Sequence, residues 1–556
     1  YSEGTGNVWR NLQDEGHPSS PVFNPDGTLT YSGVYSIGDF LYGNSGRTMK
    51  NDLTRSTTTL AASFLDNRLR VHADFTYNNA NYYQTIKRVR SKYSKTEGLT
   101  ETISGTQSYI SETQRNNVYL GTNVYAEYEQ TFAKKHYFKG MLGYNYEQSQ
   151  SKQLYAYNDD LLTENVENIN MAMGTDNRSI TSSWSKWRTV GSFFRLNYVY
   201  DNRYLVEVNG RYDGSSKFPS RQRWAFFPSV SAGWRINEEH WFKADPRKVS
   251  NIKIRASYGS LGNGNVAAYS YDEVFSFSNS GRIFNGVKPR YTSIPNEIPA
   301  SLTWETSQTV DGGIDLGFFN NRLTMTGDYY VRRTKNMYTQ GPTLPDVFGA
   351  TSPKGNYADM STRGYEISIG WSDSFKMGGK PFNYYVKATL ADYQSTIDKF
   401  NNSTKAIGTG NTPNYYEGMK IGEIWGYVCN GLWQTEEEIA AAEAKAQAAG
   451  QSYYMPGIQT EKNYKLHPGD VKFEDLNGNG YIDRGAGTAN DPGDRRVIGN
   501  AEPRYIYSFS LGGDWNNFYL SAFFQGVGKQ DWYPGNETAV FWGQYNRPYN
   551  QMPKWH

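Results

Sequence analysis

Residues 202–214 read NRYLVEVNGRYDG, and from Tyr204 onward their side chains alternate in character. Tyr204, Val206, Val208, Gly210 and Tyr212 share one side of an extended chain, while Arg203, Glu207, Asn209, Arg211 and Asp213 share the other. A helix would mix the two sets, whereas the two-residue repeat of a strand separates them. The fold question is therefore which of the two faces lies inside.

The same pattern recurs along the chain. Leu69, Val71, Ala73, Phe75 and Tyr77 oppose Arg68, Arg70, His72, Asp74 and Thr76. Leu323, Met325, Gly327, Tyr329 and Val331 oppose Arg322, Thr324, Thr326, Asp328 and Arg332. Similar runs lie around 118–129, 252–258, 364–371, 384–391 and 518–525. Runs of about ten residues suit a tilted strand crossing a bilayer. Short turns separate them at Asp66-Asn67, Lys134-Lys135, Asp201-Asn202, Asn320-Asn321 and Asn516-Asn517, with looser turns near 244–250 and 373–380. Asn and Asp tolerate the left-handed backbone of tight hairpins. Polar segments at 79–117, 148–186, 213–223, 261–302, 335–357 and 396–503 alternate strictly with the turns. Seven short turns, each between two strands, predict about fourteen strands of an all-β, up-and-down antiparallel sheet.

Composition agrees. Among 556 residues, 46 Tyr, 27 Phe and 14 Trp make the chain 16% aromatic, roughly double an ordinary soluble chain. Net charge is +2, which argues against a nucleic-acid partner. A single cysteine, Cys429, excludes an internal disulfide and a cysteine-based metal site. No run approaches the roughly 18 apolar residues of a membrane helix, and mean hydropathy is −0.74. A barrel crosses lipid with alternating strands, so its hydropathy stays low all the same.

Alternation alone leaves two readings open: a soluble sheet with its apolar face inward, or a membrane barrel with that face outward. Size favours the second, because a wide lumen cannot be filled by Val and Leu. Arg68, Arg70 and Asp74 then suit a wet or plugged interior. Tyr77, Tyr128, Tyr212, Trp234 and Trp371, near strand ends, suit interfacial girdles, or edge packing in a soluble β protein.

Several segments, in their order, resemble SusC/RagA-like TonB-dependent transporters. They are NRYLVEVNGRYDGSSKF (202–218), RWAFFPSVSAGWRINEE (223–239) and NIKIRASYGSLGNGN (251–265). LTWETSQTVDGGIDLGFFNNRLTMTGDYYVRRTKNM (302–337), RGYEISIGW (363–371) and GDVKFEDLNGNGYID (469–483) follow. RRVIGNAEPRYIYSFSLGGDWNNFYLSAFFQG (495–526) closes the series, so the likeness runs from about residue 50 to the end. It implies a large transmembrane β-barrel of about 22 strands, with short periplasmic turns and long extracellular loops. About fourteen of those strands are expected in residues 1–556. The plug, the TonB box and the final strands are expected outside the chain, and 396–503 is expected as one long extracellular loop region. The implied function is TonB-dependent import of oligosaccharides or peptides across the outer membrane of a Gram-negative bacterium. The implied partners are a SusD-like lipoprotein lid, the TonB complex acting through the plug, outer-membrane lipid and, as often in the family, a second transporter–lid pair. Two rivals stay open: a lid-free receptor for siderophores or cobalamin, and a soluble all-β protein that binds or cleaves carbohydrate.

Within the long segment, Asp475, Asn477, Asn479, Tyr481 and Asp483 space oxygen donors at positions 1, 3, 5, 7 and 9, with Gly480 at 6, as a calcium loop does. Position 12 is Ala486 rather than Glu, and Asp491 or Asp494 could substitute. The expectation is a structural Ca2+; the alternative is an Asn-Gly turn. Tyr415, Tyr416, Trp425, Trp433, Tyr453 and Tyr454 are candidates for stacking on cargo, or for packing on one another. Thr435–Ala449 predicts one capped helix with Ile439 as its only large apolar residue, read as a solvated loop helix or a lid contact. HExxH and GxSxG are absent, and the histidines are scattered, so the expectation is a protein without catalysis.

Overall fold

The computed structural model describes residues 20–34, 43–89, 92–96, 98–102, 108–175, 178–272, 277–292, 298, 302–341, 347, 352–408, 414–454, 465–533, 542–543 and 547–548. Fourteen strands form one sheet. They are β1 (Gly46–Phe64), β2 (Leu69–Arg88), β3 (Tyr109–Phe132), β4 (His136–Asp159) and β5 (Ser179–Tyr200). Then come β6 (Tyr204–Ser215), β7 (Trp224–Arg235), β8 (Val249–Asn263), β9 (Glu305–Phe318) and β10 (Leu323–Gln340). Last are β11 (Lys354–Met377), β12 (Lys380–Lys399), β13 (Arg504–Trp515) and β14 (Phe518–Lys529). Each pairs antiparallel with its sequence neighbours, so the order is that of a meander. Among the described residues, β1 pairs only with β2 and β14 only with β13, and the sheet is not closed.

The turns fall where Asn and Asp are concentrated. Backbone φ is positive at Asp66, Asn67, Asp201, Asn202, Asn320, Asn321, Asn516 and Asn517, the region these side chains tolerate. Near Lys134 the turn is centred one residue earlier than expected, on Ala133 and Lys134. The looser turn expected over 373–380 is a tight one. β11 runs to Met377, β12 resumes at Lys380, and Gly378-Gly379 turns with φ of 58° and 80°. Two successive positive φ values are what a two-residue hairpin needs.

Strands also rise further than alternation indicated. β3 and β4 are 24 residues each, so the loop expected over 79–117 is reduced to residues 89–108. At about 3.3 Å per residue such strands exceed a hydrocarbon layer of about 30 Å even when tilted. Their upper parts therefore extend past such a layer, and polar residues such as Asn116, Gln148 and Lys152 take outward positions there while the hydrogen-bond ladder continues.

Register decides which face is apolar and what it meets. Val206 lies opposite Ala232, Val208 opposite Val230, and Tyr212 opposite Phe226. Val230 continues to Tyr258 and Trp234 to Ile254. Ile254 meets Ile314, and Tyr258 meets Val310. These side chains form one belt across β6–β9, and it is exposed: Val206 is 41%, Val208 37%, Val230 43%, Ile254 45% and Val310 57% accessible. On the opposite face Glu127 and Asp213 are 13% and 14% accessible. The sheet is inverted relative to a water-soluble protein, with its apolar face turned out. Among the described residues, the buried apolar clusters lie at the loop end, as with Phe218, Phe227, Val266, Leu302 and Trp304. No described helix is long and apolar enough to cross a membrane, which says nothing against crossing by strands.

Aromatic rings mark both ends of the belt, with Tyr212 stacked on Trp224 at 5.2 Å at the loop end. At the turn end Glu239 is buried and accepts from the Tyr204 hydroxyl, the Trp234 indole N–H at 2.9 Å and Arg203 at 3.0 Å. These donors, Tyr204 foremost, hold its carboxyl below the usual range near ~4.3. A depressed folded-state pKa adds stability that is present above the unfolded value and lost as pH falls through the folded one. Thermal midpoints measured in detergent should therefore fall on acidification below about pH 4. Glu239→Gln should flatten that dependence and lower the midpoint at neutral pH.

Candidate functional site

Two regions carry chemistry: the inner face of the sheet and the long connection between β12 and β13. On the inner face the charges are organised into ion pairs across strands. Arg70 of β2 reaches Glu127 at 3.5 Å and Glu129 at 3.1 Å on β3, and Lys139 of β4 reaches Glu127 at 3.2 Å. Along β6 itself, Arg211 pairs with Asp213 at 2.7 Å. Arg255 of β8 contacts Asp315 at 3.3 Å, Asp328 at 2.5 Å and Asp311 at 3.8 Å, while Lys253 lies 3.9 Å from Asp315. Alternation forces this, because Arg, Asp and Glu occupy every second position and cannot share the apolar side. Asn197, Glu207, Ser231, Lys253, Arg255 and Asp311 line a shallow inward cleft of about 310 Å³. Such a wall suits water or a polar protein body; hydrocarbon against it would leave paired charges in a low dielectric.

The described residues of the long connection gather into two hydrophobic cores. Trp433, Ile439, Ala446, Tyr453, Leu466 and Ile482 form one. Ile397, Ile407, Tyr416 and Met419 form the other, with Trp425 packed against it. Strands Glu423–Tyr427 and Arg495–Asn500 pair beneath them. The helix α1 (Glu436–Ala448) starts as its capping residues dictate, with the Thr435 hydroxyl accepting the Glu438 amide at 3.2 Å. The Glu438 carboxylate accepts the amide of Gln434 at 3.0 Å. The expectation of a solvated helix is corrected here. Ile439 and Ala446 are buried against Trp433 and Tyr453, because alanines every turn let the backbone sit close to bulky partners.

The six candidate aromatics divide accordingly. Tyr416, Trp433 and Tyr453 are buried in the two cores, and Trp425 and Tyr454 are half-buried against them. Burial drives the Tyr416 and Tyr453 phenols well above their ordinary range, and Tyr416 donates to Glu423 at 2.7 Å. Tyr415 is the exposed one, at 40%. It lines a cavity of about 590 Å³ with Glu423, Glu502, Asp531, Trp532 and Tyr533. Sequence reading missed all five, since the lining comes from three separate segments that only the fold unites.

The calcium-like loop is compact. Gly478 and Gly480, at φ of 77° and 95°, let the chain fold over Asp475, whose carboxylate accepts both their amides at 2.7 and 2.8 Å. Asn477 and Asn479 turn their amide groups toward Asp483. Asp494, fully buried, accepts backbone amides of Leu476, Asn477 and Asp483 at 2.7, 3.3 and 2.7 Å. Tyr481 donates its amide to Asn479 at 3.1 Å. Among the described residues no three acidic, histidine or cysteine side chains converge as a metal group. The donor set is nonetheless all oxygen, the chemistry a hard cation takes.

An open meander with an apolar exterior, a charged interior, short turns at one end and folded loops at the other defines the wall of an outer-membrane barrel. The family model described as TonB dependent receptor-like, beta-barrel matches residues 5–552, and the chain belongs to that family. TonB-dependent receptor P3 of Formosa agariphila is 28% identical over 529 residues, 91% of this chain and 48% of that protein. TonB-dependent receptor SusC of Bacteroides thetaiotaomicron is 29% identical over 307 residues, 55% of this chain and 28% of that protein. A solved structure of the RagAB peptide transporter matches with a TM-score of 0.67 at 19% identity, covering 90% of this chain and 49% of that one. At that identity the likeness is one of fold. The match spans between 28% and 48% of the length of the curated relatives.

Proposed function

We propose that the chain forms the wall and loop crown of an active importer in the outer membrane, moving oligosaccharide or peptide through the barrel. The inverted sheet carries the reading, because it is a polar conduit inside a lipid-facing shell. The charged inner face holds a polar plug, and the TonB complex acts on that plug from the side of the short turns. The long connections face the cell exterior, where a SusD-like lipoprotein covers them, and two transporter–lid pairs associate. Transport here needs binding and passage and no catalytic step. SusC and the RagAB peptide transporter support this reading over a lid-free siderophore or cobalamin receptor, and the exposed apolar belt disfavours a soluble carbohydrate-active protein.

Gentle detergent extraction from the native membrane, with mass spectrometry of what co-purifies, tests it. A stoichiometric lipoprotein with bound oligosaccharide or peptide is the expected result. Recovery with no lipoprotein partner would move the reading to the lid-free receptor, and recovery in the aqueous fraction would end the membrane reading.

We also propose that the 475–483 loop holds a structural Ca2+ through the side chains of Asp475, Asn477, Asn479 and Asp483 and the carbonyl of Tyr481. Calcium should slow proteolysis within 475–494 severalfold relative to chelator, and Asp475→Ala should abolish the difference. Equal cleavage rates with calcium and chelator would leave an ordinary Asn-Gly turn.

A further inference from the structure

We propose that the outward face of β4 and β5, just past the loop-side rim of the apolar belt, binds a phosphate-bearing lipid headgroup through Lys152, Lys186 and Arg188. The proposal rests on the belt lying in a membrane and on no particular cargo. Outward positions on the two strands are fixed by register. Leu142 lies opposite Phe194, Tyr144 opposite Ser192 and Tyr146 opposite Val190. The next outward pairs are Gln148 with Arg188, Gln150 with Lys186, and Lys152 with Trp184. Apolar and aromatic character thus gives way to amide and cation at the same height on both strands. Lys186 is the diagonal neighbour of Lys152 across the pair, about 7–8 Å away, and Arg188 follows Lys186 two residues on along the same face, so the three long side chains form one row under a headgroup.

These cations are unneutralised. None of the three forms an ion pair among the described residues. The Arg188 Nε donates to Gln148 at 2.9 Å, and its terminal nitrogens make no hydrogen bond to described groups. Adjacent β3 offers Leu120, Val118, Asn116 and Gln114 opposite these positions, and its outward carboxylate, Glu112, lies further on, opposite Ala156. At the turn end Arg203 is held by Glu239, Arg322 by Asp373 and Lys135 by Asp201. Unpaired cations persist on this rim because a ligand outside the chain supplies the anion. The occupant is lipid because the patch continues a face that hydrocarbon covers, and because exposed Trp184 stands beside it as interfacial tryptophans do.

The test compares the wild-type protein with K152Q/K186Q/R188Q, each reconstituted in phosphatidylcholine vesicles containing monophosphoryl lipid A or its dephosphorylated form. After mild re-extraction, the glycolipid retained per protein is measured by mass spectrometry. With each cation near an anionic surface strengthening association roughly fivefold, the triple variant should retain at least about tenfold less of the phosphorylated lipid. The wild type should prefer that lipid over its dephosphorylated form, while R115Q, altered on the inner face, should match the wild type. Equal retention of the two lipids by the inserted wild type would overturn the headgroup site and leave the barrel intact. Failure of the wild type to insert at all would overturn both. Should the triple variant not fold, the wild-type preference and single K152Q decide the matter.

Discussion

Val208→Arg should lower the stability of the reconstituted barrel by about 2–4 kcal/mol, the depth-dependent cost of a cation on the lipid face of an outer-membrane barrel near mid-bilayer. Val208 sits in the middle of β6, outward, flanked by Leu196 on β5 and Val230 on β7, with no acid among those partners. An arginine there must snorkel past several apolar rows or drag water into the belt. The matched control is Ser231→Arg on the inner face, opposite Glu207, where a carboxylate and water await the new charge. That change should cost no more than about 0.5 kcal/mol, as surface substitutions do. Urea midpoints from tryptophan emission in vesicles measure both. If Ser231→Arg proves the damaging one and Val208→Arg the silent one, the sheet faces the other way and a water-soluble barrel must be considered again.

The wall was legible in the sequence because its period is two and its punctuation is strong. Every strand-to-strand pair predicted from Asn- and Asp-rich turns is present, since only a few residues tolerate positive φ. The strand ends at the loop side were not legible. Beyond the belt polar residues take outward positions on β3 and β4, so Asn116, Gln148 and Lys152 read as loop although they continue the ladder. The Gly378-Gly379 hairpin was hidden by Asp373, a polar residue at an apolar-face position between Trp371 and Phe375, which broke the apparent alternation without breaking the strand. In the long connection, composition located the aromatics but not their fate. Tyr415 and Tyr416 are adjacent, yet one is exposed and the other buried, and nothing local to the pair distinguishes them. That outcome depends on Met419 and Ile397, one of which comes from the end of β12. The same limit hid the cavity that Tyr415 shares with Glu502 and Trp532, about 90 and 120 residues away in sequence.

Trp433→Ala should release the loop crown while sparing the wall. Trp433 is 2% accessible and fills the space between Ile439 and Ala446 of α1 and the Tyr453 ring, 5.2 Å away. Lys472 also lies 4.7 Å over its ring while paired with Glu438, so the indole supports the polar rim of the core as well as its interior. Truncating a buried tryptophan costs about 3–5 kcal/mol, more than a core of six buried residues can readily lose. None of this cluster belongs to the fourteen-stranded sheet, whose ladder hydrogen bonds are independent of it. Hydrogen exchange of the α1 amides should therefore accelerate by at least about a hundredfold, since each 1.4 kcal/mol is a factor of ten. The urea midpoint of the wall should stay unchanged, and Tyr415→Ala should alter neither. Should the midpoint fall together with α1 protection, crown and wall would form one cooperative unit. Should they separate as expected, the crown is an autonomous folding unit on a rigid shell, and its residues can be exchanged without refolding the wall.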